Sequence, residues 1–323
     1  MHAMSHSLKI AVLMGGPSEE HDISLKSGHG VVEALIRRHW TVHPVVLPKA
    51  LTLDEARTFA GQALQDAGVD VAFIALHGAF GEDGTIQEVC EELHLAYTGS
   101  TAATSRMGMD KAASKKQFEE VGLCTPRWQV LDLSKRPLRL GRYAYPLVVK
   151  PTQQGSSLGV SIVHQEAQLR AALTMAGRYG PRVLIEEFIA GSELTVGVFG
   201  DEPLPVVEVR PSRPFFDYTA KYTAGLTNYL VPAPLDPDVA AAVQDAGLRA
   251  HRALGCRHLS RTDLILGADR VPIVLEVNTI PGFTPTSLLP KAAACVNLSY
   301  DELCERLVLM AWQDVPQVTG QHR

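Results

Sequence analysis

Hydrophobic and polar positions along the first hundred residues fall into two alternating patterns. Residues 9–14 form a short apolar run ending at Gly15-Gly16, which predicts a buried parallel strand followed by a glycine turn. Residues 23–38 carry helical spacing, and residues 42–47 return to a β-branched strand. A third strand, 69–76, ends at His77-Gly78. Strand and helix alternating in this way predict a small doubly wound α/β sheet. Ligands of such sheets sit beyond the carboxyl ends of the strands, where both glycine-containing turns fall.

The pattern then changes. Residues 110–121 read as a helix with Asp110 as its N-cap and Gly122 as its stop. From Cys124 onward strands and hairpins take over. The runs 146–150 and 160–163 flank a loop at 151–159, and 166–178 is an amphipathic helix. Further strands are predicted at 182–189, 193–199 and 206–210. Residues 211–227 are a long irregular stretch rich in Pro, Gly, Tyr and Phe, and a connection of that length is usually functional or disordered. A helix at 238–254 precedes two final strands, 259–266 and 272–278.

Composition narrows the function classes. A chain of 323 residues exceeds one ordinary core and implies two or three domains. The net charge of −5, with no basic patch, gives no electrostatic case for nucleic acid or an anionic membrane. No apolar run approaches the ~20 residues that a membrane span needs. The first eight residues lack the apolar segment of a secretory signal. Five scattered cysteines form no CxxC pair, so neither a disulfide framework nor a zinc site is supported and a reducing cytoplasmic setting is expected.

The last strand pair carries the most chemistry. The short connection 267–270 predicts an antiparallel hairpin, and side chains alternate across it. One face then shows Thr262, Leu264, Leu266, Ile273, Leu275 and Val277, a core face. The other gathers Arg261, Asp263, Glu276 and Asn278 at one end. Three oxygen donors without Cys or His describe a hard cation such as Mg²⁺, which so few protein ligands normally share with phosphate. The competing reading is a solvated face with a surface salt bridge.

Three further segments join it. In KPTQQGSSLG (150–159), Gly155 and Gly159 free the backbone to point N–H groups at a phosphate, Ser156 and Ser157 add donors, and Lys150 supplies charge. The lysine comes first and a strand follows, so this is not the GxxxxGK[ST] loop, and a plain glycine-rich hairpin turn is the alternative. LIEEFI (184–189) is an apolar strand whose end offers main-chain hydrogen bonds to an adenine edge, though a simple strand would look the same. FDYTAKY (216–222), within the irregular stretch, suits a lid that closes on an anion and excludes water.

Phosphate binders, a hard-cation face and a lid thus stand in one chain, together with the segments MGGPSEEHDISLKSG (14–28), HGAFGEDGTIQ (77–87), YTGS (97–100), MDK (109–111) and EVNTIPGFTPTSL (276–288). By these segments the chain resembles the D-alanine–D-alanine ligase family of ATP-grasp enzymes, and the resemblance runs from about residue 9 to 311. It implies a small doubly wound N-terminal sheet at 8–105 and a two-part ATP-grasp fold at 106–200 and 201–316, with tails at 1–7 and 317–323. By the match, Lys111 and Lys150 hold ATP phosphates, and Glu186, Glu187, Phe188, Ile189 and Glu193 line the adenine and ribose site. Asp263, Glu276 and Asn278 bind two Mg²⁺ ions, with Mn²⁺ as an alternative.

The implied reaction makes D-alanyl-D-alanine for peptidoglycan precursors through a D-alanyl phosphate. Arg261 and the Gly282 N–H are expected to stabilise the tetrahedral intermediate, and Lys221 to reach the transferred phosphoryl group. Glu20 and His77 meet the first substrate. Ser287 and the Leu288 N–H receive the second, and Ser156 and Tyr222 link the glycine loop to the lid. Each has a plainer reading: Glu20 as a helix-start carboxylate, His77 as a hydrogen-bonded strand-end histidine, Lys221 as a solvated loop lysine. The glycine loop departs from the family in carrying Gln154 where Glu is common. A homodimer is implied by the resemblance alone. The rival readings are a ligase that adds D-lactate or D-serine second, and a non-catalytic ATP-binding regulatory module.

Overall fold

The computed structural model describes residues 8–135, 137–138, 140–141, 143–211 and 227–314. The first sheet is parallel, in the order β2-β1-β3-β4, from β1 (Lys9–Gly15), β2 (Thr41–Leu47), β3 (Val71–Ile74) and β4 (Ala96–Tyr97). Helix α1 (His21–Arg37) lies tight on β1. A Cβ added at Gly28 would fall 2.4 Å from the Met14 Cβ, so only glycine permits that approach. At Gly15, φ is +84° and a Cβ would meet the Leu47 carbonyl oxygen at 2.5 Å, so the turn after β1 requires glycine as well.

Helix α2 (Leu53–Ala67) has no counterpart in the pattern reading. It buries Ala56, Ala60 and Leu64, a stripe too poor in large side chains to stand out, yet Thr52 and Glu55 close a complete capping box at its start. Helices α3 (Thr85–Glu92) and α4 (Ala102–Met109) are each only eight residues long, too short to show a period. One face of the sheet is covered by α1 and the other by α2 and α3, the doubly wound arrangement expected.

The second sheet is antiparallel, in the order β5-β8-β6-β7, formed by β5 (Trp128–Asp132), β6 (Leu147–Pro151), β7 (Ser161–Val163) and β8 (Arg182–Glu187). Helix α5 (Lys111–Glu120) leads into it. Asp110 caps α5 by accepting from the Ala112 and Ala113 N–H groups, as expected, and Gly122 follows at φ +71°. Helix α6 (Glu166–Ala176) packs on this sheet and ends in a 3-10 turn, Gly177–Tyr179.

The third sheet comprises β9 (Ser192–Phe199), β10 (Glu202–Pro203), β11 (Val207–Pro211), β12 (Thr227–Leu230), β13 (Leu259–Leu266) and β14 (Pro272–Asn278). Its order is β12-β11-β9-β13-β14, with β10 on β9. The β9 strand pairs with β13 along its full length, so this sheet begins before residue 200. Helix α7 (Pro237–Ala253) covers it together with Phe118 of α5.

Two terminal helices, α8 (Leu288–Ala294) and α9 (Tyr300–Asp314), return to the α1 face of the first sheet. There Arg37 grips Asp301 through two hydrogen bonds of 2.8 and 2.7 Å, and the Trp40 indole donates to Glu305 at 3.0 Å. No described helix is long and apolar enough to cross a membrane.

One face assignment is corrected. The ladder pairs Asp263 with Glu276 but Leu264 with Val274, so β14 carries an extra residue at Leu275. A one-residue insertion flips the alternation beyond it. Val274 therefore enters the core, fully buried, whereas Leu275 lines a cavity on the opposite face and Ile273 is half-buried.

Near the end of α7, burial pushes His251 from its ordinary 6.5 down to about 4, and its Nδ1 lies 2.7 Å from the Ser260 hydroxyl. Between those values the unfolded chain takes a proton that the folded chain refuses, so stability falls on acidification. Unfolding free energy should drop by about 2 kcal/mol from pH ~7 to ~5 through this group alone. Denaturant titrations of His251→Gln should show a correspondingly shallower pH slope, and an identical slope would remove the assignment.

Candidate active site

A cavity of about 240 Å³ lies between the second and third sheets, lined by Lys111, Lys150, Glu186, Glu187, Phe188, Ile189 and Glu193 among others. Lys150 and Glu186 stand on neighbouring antiparallel strands. Val148 pairs with Glu186, so Lys150 lies two residues along on the same face, and its Nζ is 2.8 Å from Glu186 Oε2. Burial alone would raise the Glu186 carboxyl, but Lys150 and Lys115 more than offset it and hold the group below its ordinary value.

Lys111 opens α5 and reaches the same cavity. Its backbone N–H donates to the Thr152 carbonyl at 2.9 Å, and its Nζ donates to the Gln154 carbonyl at 2.7 Å. The glycine loop is thereby tied to the helix start. Ser156 and Ser157 both adopt positive φ, +50° and +58°, an unusual conformation for residues with side chains that costs roughly 1 kcal/mol or more each. Such a cost persists where the surroundings enforce it, and the Ser156 hydroxyl donates to Glu20 Oε1 at 2.5 Å.

A second cavity, about 650 Å³, opens on the other side of the loop. Glu20, His77, Ser156, Gly282, Ser287 and Leu288 all line it, although they are scattered over 269 positions of chain. Glu20 precedes α1, but its side chain makes no capping bond there, so the helix-start reading does not describe its contacts. The Ser18 hydroxyl donates to the His77 carbonyl at 2.7 Å, and the His77 Nε2 lies 3.0 Å from the Ser27 hydroxyl. At the far end the Thr284 N–H donates to the Ser287 hydroxyl at 3.0 Å, setting Ser287 at the start of α8.

Arg261, Glu276 and Leu288 line both cavities. The Arg261 fork meets Asp263 through Nε at 2.8 Å and a terminal nitrogen at 2.7 Å, and the Asn278 amide donates to Asp263 at 3.2 Å. Lys111 Nζ lies 3.0 Å from Glu276 Oε2. Asp263, Glu276 and Asn278 thus converge from facing positions of one ladder. No group of three or more His, Cys, Asp or Glu placed to hold a metal occurs among the described residues. Two carboxylates and an amide oxygen nonetheless fit a hard cation, which takes water and phosphate as its remaining ligands. The surface-salt-bridge alternative is half met, since Arg261 does pair with Asp263, but the pair faces a cavity rather than open solvent.

Two ionisable residues, one part-buried and one wholly buried, escaped the pattern reading. Glu82 accepts from the Gly78 N–H at 3.0 Å and lies 3.6 Å from His77 Nδ1. Burial pushes its carboxyl up, opposed by nearby His77 and the Gly78 N–H and reinforced by Glu20. It stands within the 77–87 motif, and its charge next to a glycine turn was the available signal. Lys115 is wholly buried, with its Nζ 2.7 Å from Glu186 Oε1, and burial pushes its ammonium down to about 8. Its place one helical turn after Lys111 could have marked it. Lys221, Tyr222 and the lid expected at 211–227 lie outside the described residues, apart from Pro211 and Thr227 at its edges.

Comparison with known proteins gives the family. The family described as D-ala D-ala ligase C-terminus matches residues 117–309, and that described as D-ala D-ala ligase N-terminus matches 51–100. The D-alanine–D-alanine ligase of Syntrophotalea carbinolica is 47% identical over 301 residues, covering 93% of this chain and 95% of that protein. The corresponding ligase of Desulforudis audaxviator is 43% identical, covering 94% and 98%. Among solved structures, the Bacillus anthracis D-alanine–D-alanine ligase complexed with ATP superposes with a TM-score of 0.81 at 31% identity, covering 95% of this chain and 98% of that one. The VanG D-Ala:D-Ser ligase of Enterococcus faecalis gives 0.79 at 28%, covering 94% and 99%. A parallel sheet followed by two antiparallel sheets that clasp a lysine-lined cavity is the expected ATP-grasp architecture, and this chain belongs to the D-alanine–D-alanine ligase family.

Proposed function

We propose that this chain joins two D-alanine molecules into D-alanyl-D-alanine at the expense of ATP, supplying peptidoglycan precursor synthesis in the cytoplasm. One observation carries the reading: the lysine-lined cavity and the Glu20 cavity share Arg261 and Glu276 as a common wall. A phosphoryl donor in the first can therefore meet a carboxylate held in the second.

In the first step the carboxylate of one D-alanine attacks the γ-phosphate and releases ADP, leaving an acyl phosphate. The amine of the second D-alanine then adds to the acyl carbon, and the tetrahedral intermediate expels phosphate. Glu20 and His77 hold the first substrate's ammonium end. Ser287 and the Leu288 N–H receive the second substrate's carboxylate. Negative charge develops on oxygen in both steps, so preorganised donors lower both barriers, here Arg261 and the Gly282 N–H. Lys111, Lys150 and Lys221 bind the phosphates, while Glu186, Glu187, Phe188, Ile189 and Glu193 form the adenine and ribose end. Asp263, Glu276 and Asn278 would hold two Mg²⁺ ions, or Mn²⁺, which supply charge compensation for phosphate when bound. Ser156 and Tyr222 couple the glycine loop to the lid, and a homodimer is carried over from the resemblance.

Incubation with ATP, Mg²⁺ and a panel of D-amino and D-hydroxy acids tests the reading through its products. D-alanyl-D-alanine should dominate at neutral pH. A predominance of D-alanyl-D-lactate or D-alanyl-D-serine would reassign the second substrate, and the absence of any D-alanine-dependent ADP release would leave a nucleotide-binding module.

A further inference from the structure

The ion pairs at the back of the nucleotide cavity form a buried triad in which one member, Lys115, has no part in the proposed reaction. Glu186, 2% exposed, receives Lys150 on one carboxylate oxygen at 2.8 Å and Lys115 on the other at 2.7 Å. Lys150 lines the cavity, whereas Lys115 lies behind it with no exposed side-chain surface. Lys115 Nζ also donates to the Thr125 hydroxyl at 2.6 Å, and Thr125 donates in turn to the Val274 carbonyl at 2.8 Å on β14. The ammonium is thus fixed between the second and third sheets.

Stability is a poor reason for this arrangement. Removing two lysines and a glutamate from water costs about as much as their mutual attraction returns, and well-packed apolar residues usually serve a core as well or better. Charge bookkeeping offers a better one. Among the described residues lining the cavity, carboxylates outnumber cations by five to three, an unpromising balance for a polyanion. If Glu186 were paired with Lys150 alone, each would cancel the other and the phosphates would meet no net charge there. A second lysine changes the sum.

We infer that Lys115 is a positioning residue for nucleotide binding: it neutralises Glu186 from behind, so that the charge of Lys150 acts on the phosphates while Glu186 still holds Lys150 in place. This rests on reading the cavity as the ATP site. A unit charge one carboxylate removed from the phosphates still acts at a partly buried site of intermediate dielectric, and its loss should weaken phosphate binding about tenfold or more.

The test is calorimetric titration with ADP and with adenosine, without divalent cation, so that the readout depends on this chain's own charges. In Lys115→Met the ADP dissociation constant should rise about tenfold or more, while that of adenosine stays within about twofold. Lys115→Gln keeps a hydrogen-bond donor to Glu186 but no charge, and should show the same selective loss. It also serves where the Met variant does not fold. Adding Glu186→Gln to either variant restores a net charge at Lys150 and should recover ADP binding relative to adenosine.

Equal weakening of ADP and adenosine would overturn the inference in favour of a structural role, and unchanged ADP binding would overturn it outright. A wild-type chain that binds neither ligand would instead remove the nucleotide reading of the cavity, which is a separate result.

Discussion

Glu276→Gln should lower dipeptide synthesis at least about 10³-fold while leaving the fold intact, because phosphoryl transfer depends on compensating charge at the phosphates. Glu276 stands opposite Asp263 where the ladder is still in register, one residue after the bulge at Leu275. The amide replacement keeps the shape and removes only the charge. Its loss also removes the ion-pair partner of Lys111, whose Nζ lies 3.0 Å away, but that Nζ keeps its hydrogen bond to the Gln154 carbonyl and so is not left unsatisfied. Circular dichroism and the thermal midpoint should therefore stay close to wild type. Asp263→Asn should match it in activity, with the further consequence that the Arg261 fork loses its bidentate partner. Near-normal synthesis by either variant at ordinary Mg²⁺ would remove these residues from the metal site.

Arg261→Lys is the second large effect, expected to lower kcat by roughly 10²–10³. The substitution keeps the charge and discards the planar fork. In the structure that fork spans both Asp263 oxygens, and Arg261 lines the wall shared by the two cavities. A lysine can make a point contact but cannot hold the carboxylate at two atoms while presenting its remaining donors to a developing oxyanion. The KM for ATP should move much less than kcat, since the interaction strengthens as charge develops. Steady-state kinetics at saturating D-alanine separate the cases. If kcat holds and only the apparent ATP affinity changes, Arg261 is a binding residue.

The elements legible along the chain are those whose signals are local. The β1–α1–β2 alternation, the Asp110 cap on α5 and the antiparallel pairing of β13 with β14 depend on neighbours a few residues apart, and periodicity and capping chemistry report them directly. So does the gathering of Arg261, Asp263, Glu276 and Asn278 on one face, because it falls on the registered side of the bulge. Helix α2 was hidden for a local reason too: alanine is a good helix former and a weak hydrophobic marker.

Tertiary structure decided the rest, and the reason is the same each time. The bulge at Leu275 turns on how the outer edge of β14 is met: Cys124 accepts from the Val274 N–H at 2.8 Å and Thr125 donates to its carbonyl, contacts that lie about 150 positions apart. The bond between Ser156 and Glu20 joins residues 136 apart, and α9 returns to α1 across more than 260. Lys115 resembles any helix-surface lysine until the second sheet places Glu186 against it. Residue type and spacing determined which chemistry this chain can carry. Which charges neutralise one another, and which are left to act on a ligand, depends on distances that only the packed sheets create.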